Sequence, residues 1–175
     1  ADQRAALREI RRSCSALDAM IDTLLAAART DLARTVARAD LDAVLAQFAT
    51  ATAAPPVVTA KRTGLGVGVD ADVVARILTP IVDNAVRFAG SRVCLDAHRV
   101  GSSVIVTVAN DGPVLAPELA GRVFEPGFRA GPADRHDGVG LGLALALRLA
   151  RAADGDLDVD TTAPMTTFRL VLPAG

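Results

Sequence analysis

Glycines alternate with apolar residues between Gly138 and Leu143, and this short stretch constrains the fold more than any other part of the chain. A loop of turn-forming residues, 129–137, precedes it, and an apolar run, 143–153, follows with the composition of a helix. Glycines at a helix start leave backbone N–H groups uncovered, and the helix dipole adds partial positive charge there. The stretch therefore predicts a phosphate-binding helix start. The alternative is an ordinary helix start in a chain rich in glycine and alanine.

Two other glycine-rich phosphate motifs do not fit this chain. The P-loop requires a lysine directly after its last glycine, and the only lysine here is Lys61. The dinucleotide-binding motif has the spacing G-x-G-x-x-G and closely follows a buried strand. Here the spacing is G-x-G-x-G and a long polar loop comes first.

A polar pair lies on a second predicted helix, residues 72–88, upstream of the glycines. Asn84 and Arg87 are three residues apart and therefore share one side of this helix. An amide oxygen beside a guanidinium suits a Mg²⁺–phosphate group, since the amide binds the metal and the guanidinium binds phosphate oxygens. The alternative is a polar face exposed to water. The apolar face of the helix is predicted to contain Val73, Ile77, Ile81 and Val82.

Alternating residues predict a sheet around these helices. Residues 92–100 and 103–109 form an expected hairpin, which runs on into a turn with an exposed carboxylate at Asp111. Residues 157–161 and 166–172 form a closing hairpin, and residues 40–49 form a short helix. Segregated strands and helices indicate an α+β fold, a two-layer α/β sandwich with helices on one face of a mixed sheet.

The N-terminal segment predicts a long helix that precedes this sandwich. Its apolar residues recur at intervals of three and four, which is a coiled-coil seam that needs a partner helix. The partner is expected from a second copy or another segment, and the alternative is packing against its own domain. The seam contains Leu7, Ile10, Cys14, Leu17, Ile21, Leu24 and Ala28.

Composition excludes several classes of function. The net charge of −1 and the 3% aromatic content, with no Trp or Tyr, argue against nucleic-acid binding. No apolar run is long enough to span a membrane. Cys14 and Cys94 lie in different predicted elements and indicate reduced thiols in the cytoplasm.

The order of these motifs resembles the catalytic ATP-binding domain of sensor histidine kinases, which has the Bergerat fold. Residues 83–88 resemble the N box, 110–113 the first glycine box, 123–129 the F box and 138–143 the second glycine box. Residues 166–173 resemble the closing strand. The resemblance covers roughly residues 40–175. It implies a second dimerisation helix at 1–30, a linker at 31–40 and the ATP-binding domain at 41–175.

The resemblance implies a role for each matching position. Asn84 is expected to bind Mg²⁺ and Arg87 to contact phosphate, so these two are the expected catalytic residues. Asn110 falls where the family usually has an Asp that accepts from the adenine amino group. Residues 125–137 are expected to form a mobile lid from which Arg129 or Arg135 reaches the γ-phosphate. The other expected nucleotide contacts are Asp111, Gly112, Phe124, Gly138, Val139, Gly140, Leu141, Gly142, Leu143 and Thr167.

Three residues depart from the family pattern. Asn110 lacks the charge of the usual Asp, which Asp111 can replace if the turn is rotated. Val114 replaces a glycine. Pro80 interrupts the helix of Asn84, at a cost of about 3 kcal/mol unless a kink absorbs it. Related ATPases carry a Glu at the Pro80 position to activate water, so we expect phosphoryl transfer rather than hydrolysis.

The resemblance implies a protein-histidine kinase fragment that cannot autophosphorylate alone. The γ-phosphoryl of Mg-ATP would pass to a His on a dimerisation helix outside this chain, and then to a response regulator. His98, in a strand and facing solvent, and His136, in the lid, are not credible acceptors. We expect a homodimer through the N-terminal helix, in the cytoplasmic part of a membrane-anchored bacterial sensor. The alternatives are a degenerate nucleotide-sensing or docking module and an anti-sigma-type serine kinase.

Overall fold

The computed structural model describes residues 38–50, 56–129 and 140–175. The predicted N-terminal helix at 1–30, most of the linker and the lid positions 130–137 lie outside the described residues. So do Gly138 and Val139, the first two residues of the predicted phosphate-binding stretch.

The described residues contain one large sheet and one small one. The strands are β1 (Ala39–Asp40), β2 (Val57–Ala60), β3 (Gly66–Val67), β4 (Arg92–Val100), β5 (Ser103–Asn110), β6 (Asp156–Asp160) and β7 (Thr166–Pro173). Five strands form the large sheet in the order β2-β4-β5-β7-β6, with β2 parallel to β4 and every other pair antiparallel. The two short strands β1 and β3 pair separately and antiparallel.

Three α-helices pack against the large sheet: α1 (Leu41–Thr50), α2 (Ala71–Phe88) and α3 (Gly142–Ala152). Two 3₁₀ turns, Pro117–Leu119 and Arg122–Phe124, lie between β5 and α3. The predicted mixed sheet with helices packed against it is therefore confirmed for the described residues. The pairing of β1 with β3 was not predicted, because two-residue strands carry no readable alternation.

The central hairpin shows why the sheet has a buried face. Every second residue is buried from Arg92 to Ala97 of β4 and along the whole of β5, as a period of two requires when one face of a strand meets the core, whereas the last three residues of β4 are exposed. Gly101 begins the two-residue turn with φ of +58°, a conformation that glycine adopts without strain. The buried side chains of this hairpin are Val93, Leu95, Ala97, Val104, Val106, Val108 and Asn110.

Helix α2 carries the predicted polar pair and lies over this buried face. The carboxylate of Asp70 caps its first turn by accepting a hydrogen bond from the N–H of Asp72 at 2.9 Å. The helix continues through Pro80. Val73, expected on the apolar face, is only half-buried. The fully covered side chains of α2 are Val74, Ile77, Leu78, Ile81, Val82 and Ala85.

Helices α2 and α3 approach each other closely at Pro80 and Gly142. A Cβ atom placed on Gly142 would lie 3.1 Å from the Cβ of Pro80, so the absence of a side chain at Gly142 permits this close approach. The contact sets the first turn of α3 beside the middle of α2. The two helices that carry the predicted phosphate and metal groups are thereby held next to each other.

Candidate functional site

A cavity of about 790 Å³ opens between α2, the start of α3 and the ends of β5 and β7. This volume lies within the usual range for small-molecule sites. Its walls are mostly apolar, with a few polar groups that come from separate elements. The polar and glycine residues in its lining are Asp83, Asn84, Arg87, Asn110, Arg129, Gly140, Gly142 and Thr166.

Asn110 is the most informative of these polar groups. Its side chain is 1% exposed, yet neither its amide oxygen nor its amide nitrogen has a hydrogen-bond partner among the described residues. Buried polar groups are nearly always paired, and leaving one unpaired costs about 1–3 kcal/mol. Because the amide lines the cavity, a bound polar ligand would supply the partner that the protein does not.

Thr166 lies directly across the sheet from Asn110, where β5 ends and β7 begins. Its hydroxyl accepts a hydrogen bond from the N–H of Leu115 at 3.0 Å and donates one to the carbonyl of Pro113 at 3.2 Å. Thr167, and not Thr166, was the expected nucleotide contact. Thr167 points to the opposite face of the sheet, donates to the carbonyl of Met165, and is not among the cavity-lining residues.

Asp111 bonds to the backbone just before and at the start of β4, so it does not replace Asn110 at the cavity in the way that a rotated turn would allow. One carboxylate oxygen accepts from the backbone N–H groups of Gly90, Ser91 and Arg92 at 2.9–3.0 Å, and the other accepts from the Ser91 hydroxyl at 2.5 Å. These donors hold the pKa of Asp111 well below its usual range. The carboxylate fixes the start of β4, and it does not line the cavity.

Gly112 lies beneath the cavity without lining it. A Cβ atom at this position would overlap the carbonyl oxygen of Phe88 and would lie 3.0 Å from the amide nitrogen of Asn110. Only a residue without a side chain lets the turn after β5 approach the end of α2 so closely. Gly112 therefore contributes to the site through packing rather than through a ligand contact.

The polar side of α2 forms one wall of the cavity. Asn84 and Arg87 both line it, as the spacing of three predicted for a common side of the helix. Asp83, which directly precedes Asn84, lines it too and was not predicted. Among the described lining residues, Asp83 carries the negative charge and the two arginines, Arg87 and Arg129, carry the positive charge.

The start of α3 forms the facing wall. Leu141 occupies the N-cap position and makes no side-chain hydrogen bond to the helix, so the first N–H groups of α3 have no side-chain cap. Gly140, Gly142 and Leu143 line the cavity beside it. The structure thus brings the described part of the glycine stretch to the same cavity as Asn84 and Arg87.

The described segment 122–129, which includes the first residues of the expected lid, makes a ring contact at each of its two phenylalanines. Phe124 packs edge-on against Phe168, with ring centroids 6.2 Å apart, and lies outside the cavity lining. Phe128 lines the cavity, and the guanidinium of Arg122 lies 4.9 Å from the centre of its ring. Phe124 therefore supports the cavity wall through Phe168.

No group of three His, Cys, Asp or Glu side chains able to hold a metal ion occurs among the described residues. On the α2 wall of the cavity, the side-chain oxygen ligands are the amide of Asn84 and the carboxylate of Asp83. Hard oxygen donors of this kind suit Mg²⁺, which proteins commonly bind through one or two side chains together with substrate phosphates. The donor set fits a magnesium ion that arrives with a phosphorylated ligand.

None of the helices in the described ranges has both the length and the apolar character needed to cross a membrane.

Comparison with known proteins gives a family for this chain. Residues 69–175 match the family described as histidine kinase-, DNA gyrase B-, and HSP90-like ATPases, and this match covers more than half of the chain. A search of curated proteins gave no match.

Solved structures with similar folds include several sensor histidine kinases. A mycobacterial sensor histidine kinase, MprB, is 22% identical with a TM-score of 0.65, covering 80% of this chain and 98% of its own. The histidine kinase domain of the E. coli osmosensor EnvZ is 26% identical with a TM-score of 0.58, covering 80% and 89%.

Full-length ShkA in complex with AMPPNP is 25% identical with a TM-score of 0.66, and the match covers this whole chain but 39% of ShkA. The chain thus spans well under half the length of that protein. Taken with the family match and the geometry of the cavity, these likenesses place the chain in the histidine kinase-, DNA gyrase B- and HSP90-like ATPase family, with the fold of a sensor histidine kinase catalytic domain.

Proposed function

We propose that this domain binds Mg-ATP in the cavity and transfers the γ-phosphoryl group to a histidine on a dimerisation helix of a two-component sensor kinase. One observation carries the proposal: the buried, unpaired amide of Asn110 opens into the same cavity as Asn84, Arg87 and the uncapped start of α3. A ligand that satisfies all of them has a polar ring edge and a chain of phosphates.

The base of the nucleotide fits the end of the cavity nearest the sheet. Apolar side chains cover a flat ring there, and Asn110 provides the hydrogen-bonding group among them. Its amide oxygen would accept from the adenine 6-amino group, the role that the family gives to an aspartate. The apolar residues lining this region are Val114, Leu115, Leu119, Val123 and Phe168.

The phosphates fit between α2 and the start of α3. The backbone N–H groups of Gly142 and Leu143, with the positive end of the helix dipole, favour anions. The guanidinium of Arg87 adds a fixed positive charge that can bind phosphate oxygens in pairs. Mg²⁺, held by Asn84 with Asp83 beside it, would offset the negative charge on the phosphates.

The domain contributes mainly positioning and electrostatics to the reaction. The bond between the γ-phosphorus and the β–γ bridging oxygen breaks, a bond from phosphorus to an imidazole nitrogen forms, ADP leaves, and the imidazole proton passes to solvent. Pro80 lines the cavity where related ATPases carry a glutamate, and proline cannot take a proton from water. This favours transfer to a protein acceptor over hydrolysis.

The acceptor histidine is expected on another segment. His98 lies exposed on β4 and outside the cavity lining, and His136 lies outside the described residues. A dimerisation helix that presents its histidine to the mouth of the cavity would complete the reaction. A response regulator would then take the phosphoryl group onto an aspartate. The likeness to the histidine kinase domain of EnvZ supports this arrangement.

Titration with ATP, with and without Mg²⁺, tests the binding step. We expect Mg²⁺ to tighten binding by about tenfold or more, equivalent to about 1.4 kcal/mol. In Asn84→Ala this gain should disappear, because the metal loses its amide ligand. Ser102→Ala, at the exposed hairpin turn, is the control and should bind as the unmodified protein does. An unchanged metal dependence in Asn84→Ala would remove Asn84 as the magnesium ligand.

A second experiment tests the transfer step. The chain is mixed with Mg-ATP and a separately made first dimerisation helix from a related sensor kinase, and acid-labile phosphohistidine is measured. Labelling that depends on Arg87 supports the kinase. Tight ATP binding without labelling would favour the non-catalytic sensing or docking module.

A further inference from the structure

We propose that Asn110 allows this site to accept purine triphosphates with a 6-oxo group, of the hypoxanthine and guanine type, as well as ATP. The proposal rests on the proposed function, because it concerns the base end of the same nucleotide site. It makes Asn110 the residue that determines base specificity.

The amide of Asn110 and the carboxylate that is usual in the family differ in the hydrogen bonds they can form. A carboxylate can only accept hydrogen bonds, whereas an amide offers one acceptor oxygen and one donor NH₂ group. Adenine presents a 6-amino donor next to the N1 acceptor. A 6-oxo purine presents the reverse, an O6 acceptor next to an N1–H donor. An amide can pair with either edge after a half-turn about its last side-chain bond, but a carboxylate faces O6 with a second acceptor.

The surroundings of Asn110 leave that half-turn open. Its backbone is fixed, because β5 pairs with Val93 of β4 on one side and Thr166 of β7 on the other. Its side-chain amide has no partner among the described residues that would favour one orientation. The nearest cross-strand hydroxyl, on Thr166, already bonds to Leu115 and Pro113.

The neighbouring carboxylate does not restrict the amide either. Asp111 bonds to the backbone of residues 90–92 on the other side of the turn, so it neither orients the amide nor adds negative charge to the cavity lining. At the base end of the described cavity the Thr166 hydroxyl is already bonded, and Asn110 offers a donor and an acceptor that can exchange places. That is the feature that accepts both kinds of purine edge.

Inosine triphosphate provides the sharpest probe, because it differs from ATP only at the 6-position and the adjacent N1 proton. Dissociation constants for ATP and inosine triphosphate are measured by calorimetry, both with Mg²⁺. We expect the two constants to agree within about tenfold. A preference for ATP greater than tenfold would overturn the proposal.

Asn110→Asp tests whether this residue sets the ratio. The carboxylate should keep ATP binding but weaken inosine triphosphate, changing the ratio of the two constants by about tenfold or more. Asn84→Asp makes the same chemical change at the phosphate wall and should leave the ratio unchanged, since both nucleotides carry the same triphosphate. An unchanged ratio in Asn110→Asp would show that Asn110 does not determine specificity.

Failure of this proposal can be told apart from failure of the proposed function. If the unmodified chain binds neither nucleotide, the site is not a nucleotide site and both proposals fall. If it binds ATP but rejects inosine triphosphate, the proposed function stands and the specificity proposal alone is refuted. Circular dichroism checks the fold of Asn110→Asp, and if that variant does not fold, the ratio measured on the unmodified chain decides.

Discussion

Replacing Gly112 by alanine should destabilise the domain through a single close contact. The added Cβ would overlap the carbonyl oxygen of Phe88 and lie 2.7 Å from its carbonyl carbon. Both atoms belong to the backbone at the end of α2, so no side-chain rotation can relieve the overlap. The turn after β5 or the last turn of α2 must move.

The magnitude follows from two opposing terms. Gly112 does not have a positive φ, so alanine can adopt its backbone conformation, and the substitution alone would stabilise by about 0.4–1 kcal/mol. Overpacking costs about 1–3 kcal/mol where side chains can adjust, and more where backbone meets backbone. We therefore expect a net loss of about 2 kcal/mol. For a domain of this size that lowers Tm by roughly 4–8 °C.

Gly121→Ala is the matched control. Gly121 has φ of −74°, and a Cβ there meets nothing within 4 Å, so only the stabilising term applies. Thermal unfolding of both variants by circular dichroism isolates the overlap as the difference between them. If Gly112→Ala melts as high as Gly121→Ala, the close approach between the turn and α2 is not a constraint on the fold, and the reasoning fails.

Three further substitutions have expected outcomes of different sign. Thr166→Val removes two hydrogen bonds that hold the loop after β5, so urea unfolding should show a loss of about 2 kcal/mol in the free energy of unfolding. Thr167→Val removes one hydrogen bond to a residue two positions away and should lose less than about 1 kcal/mol. Equal losses would contradict the assignment of Thr166, rather than Thr167, to the cavity side of β7. Pro80→Ala restores a helix N–H and keeps the Cβ that approaches Gly142, so stability should rise by about 1–2 kcal/mol, and a decrease would mean that the proline ring packs better than expected. Asp111 has a folded pKa below its ordinary value of 3.8, so its stabilising effect is complete above that pH and is lost as the pH falls below it; the stability gap between the unmodified chain and Asp111→Asn should shrink between pH 7 and pH 3, and a constant gap would refute this.

The sequence predicted the parts of the fold that have a period. The hairpin of β4 and β5 was predicted to within one residue, because the alternation along β5 and the first six residues of β4 leaves one register that buries Val93, Val104, Val106 and Val108. Helix α2 was predicted through Pro80, since its apolar face continues on both sides of the proline. Of the residues selected from the sequence, Gly140, Gly142 and Asn84 line one cavity.

What could not be predicted depends on contacts between distant segments. The choice between Thr166 and Thr167 depends on which face of β7 meets the core, and adjacent threonines look alike in the sequence. Asp111 bonds to residues about twenty positions upstream, so its role depends on how the turn meets the start of β4. The contact between Phe124 and Phe168 likewise could not be predicted, because it depends on how the 3₁₀ turn Arg122–Phe124 packs against the sheet.

One backbone hydrogen bond joins the two ends of the segment between Gly127 and Gly140. The N–H of Gly127 donates to the carbonyl of Gly140 at 3.0 Å, and Gly140, with φ of +73°, has no room for a Cβ beside Phe128. The two ends of the intervening segment are therefore joined independently of how many residues connect them. Because the entropy of closing a loop rises only with the logarithm of its length, doubling this segment would cost about 0.6 kcal/mol. Insertions and deletions between Gly127 and Gly140 are therefore expected to leave the start of α3 in place.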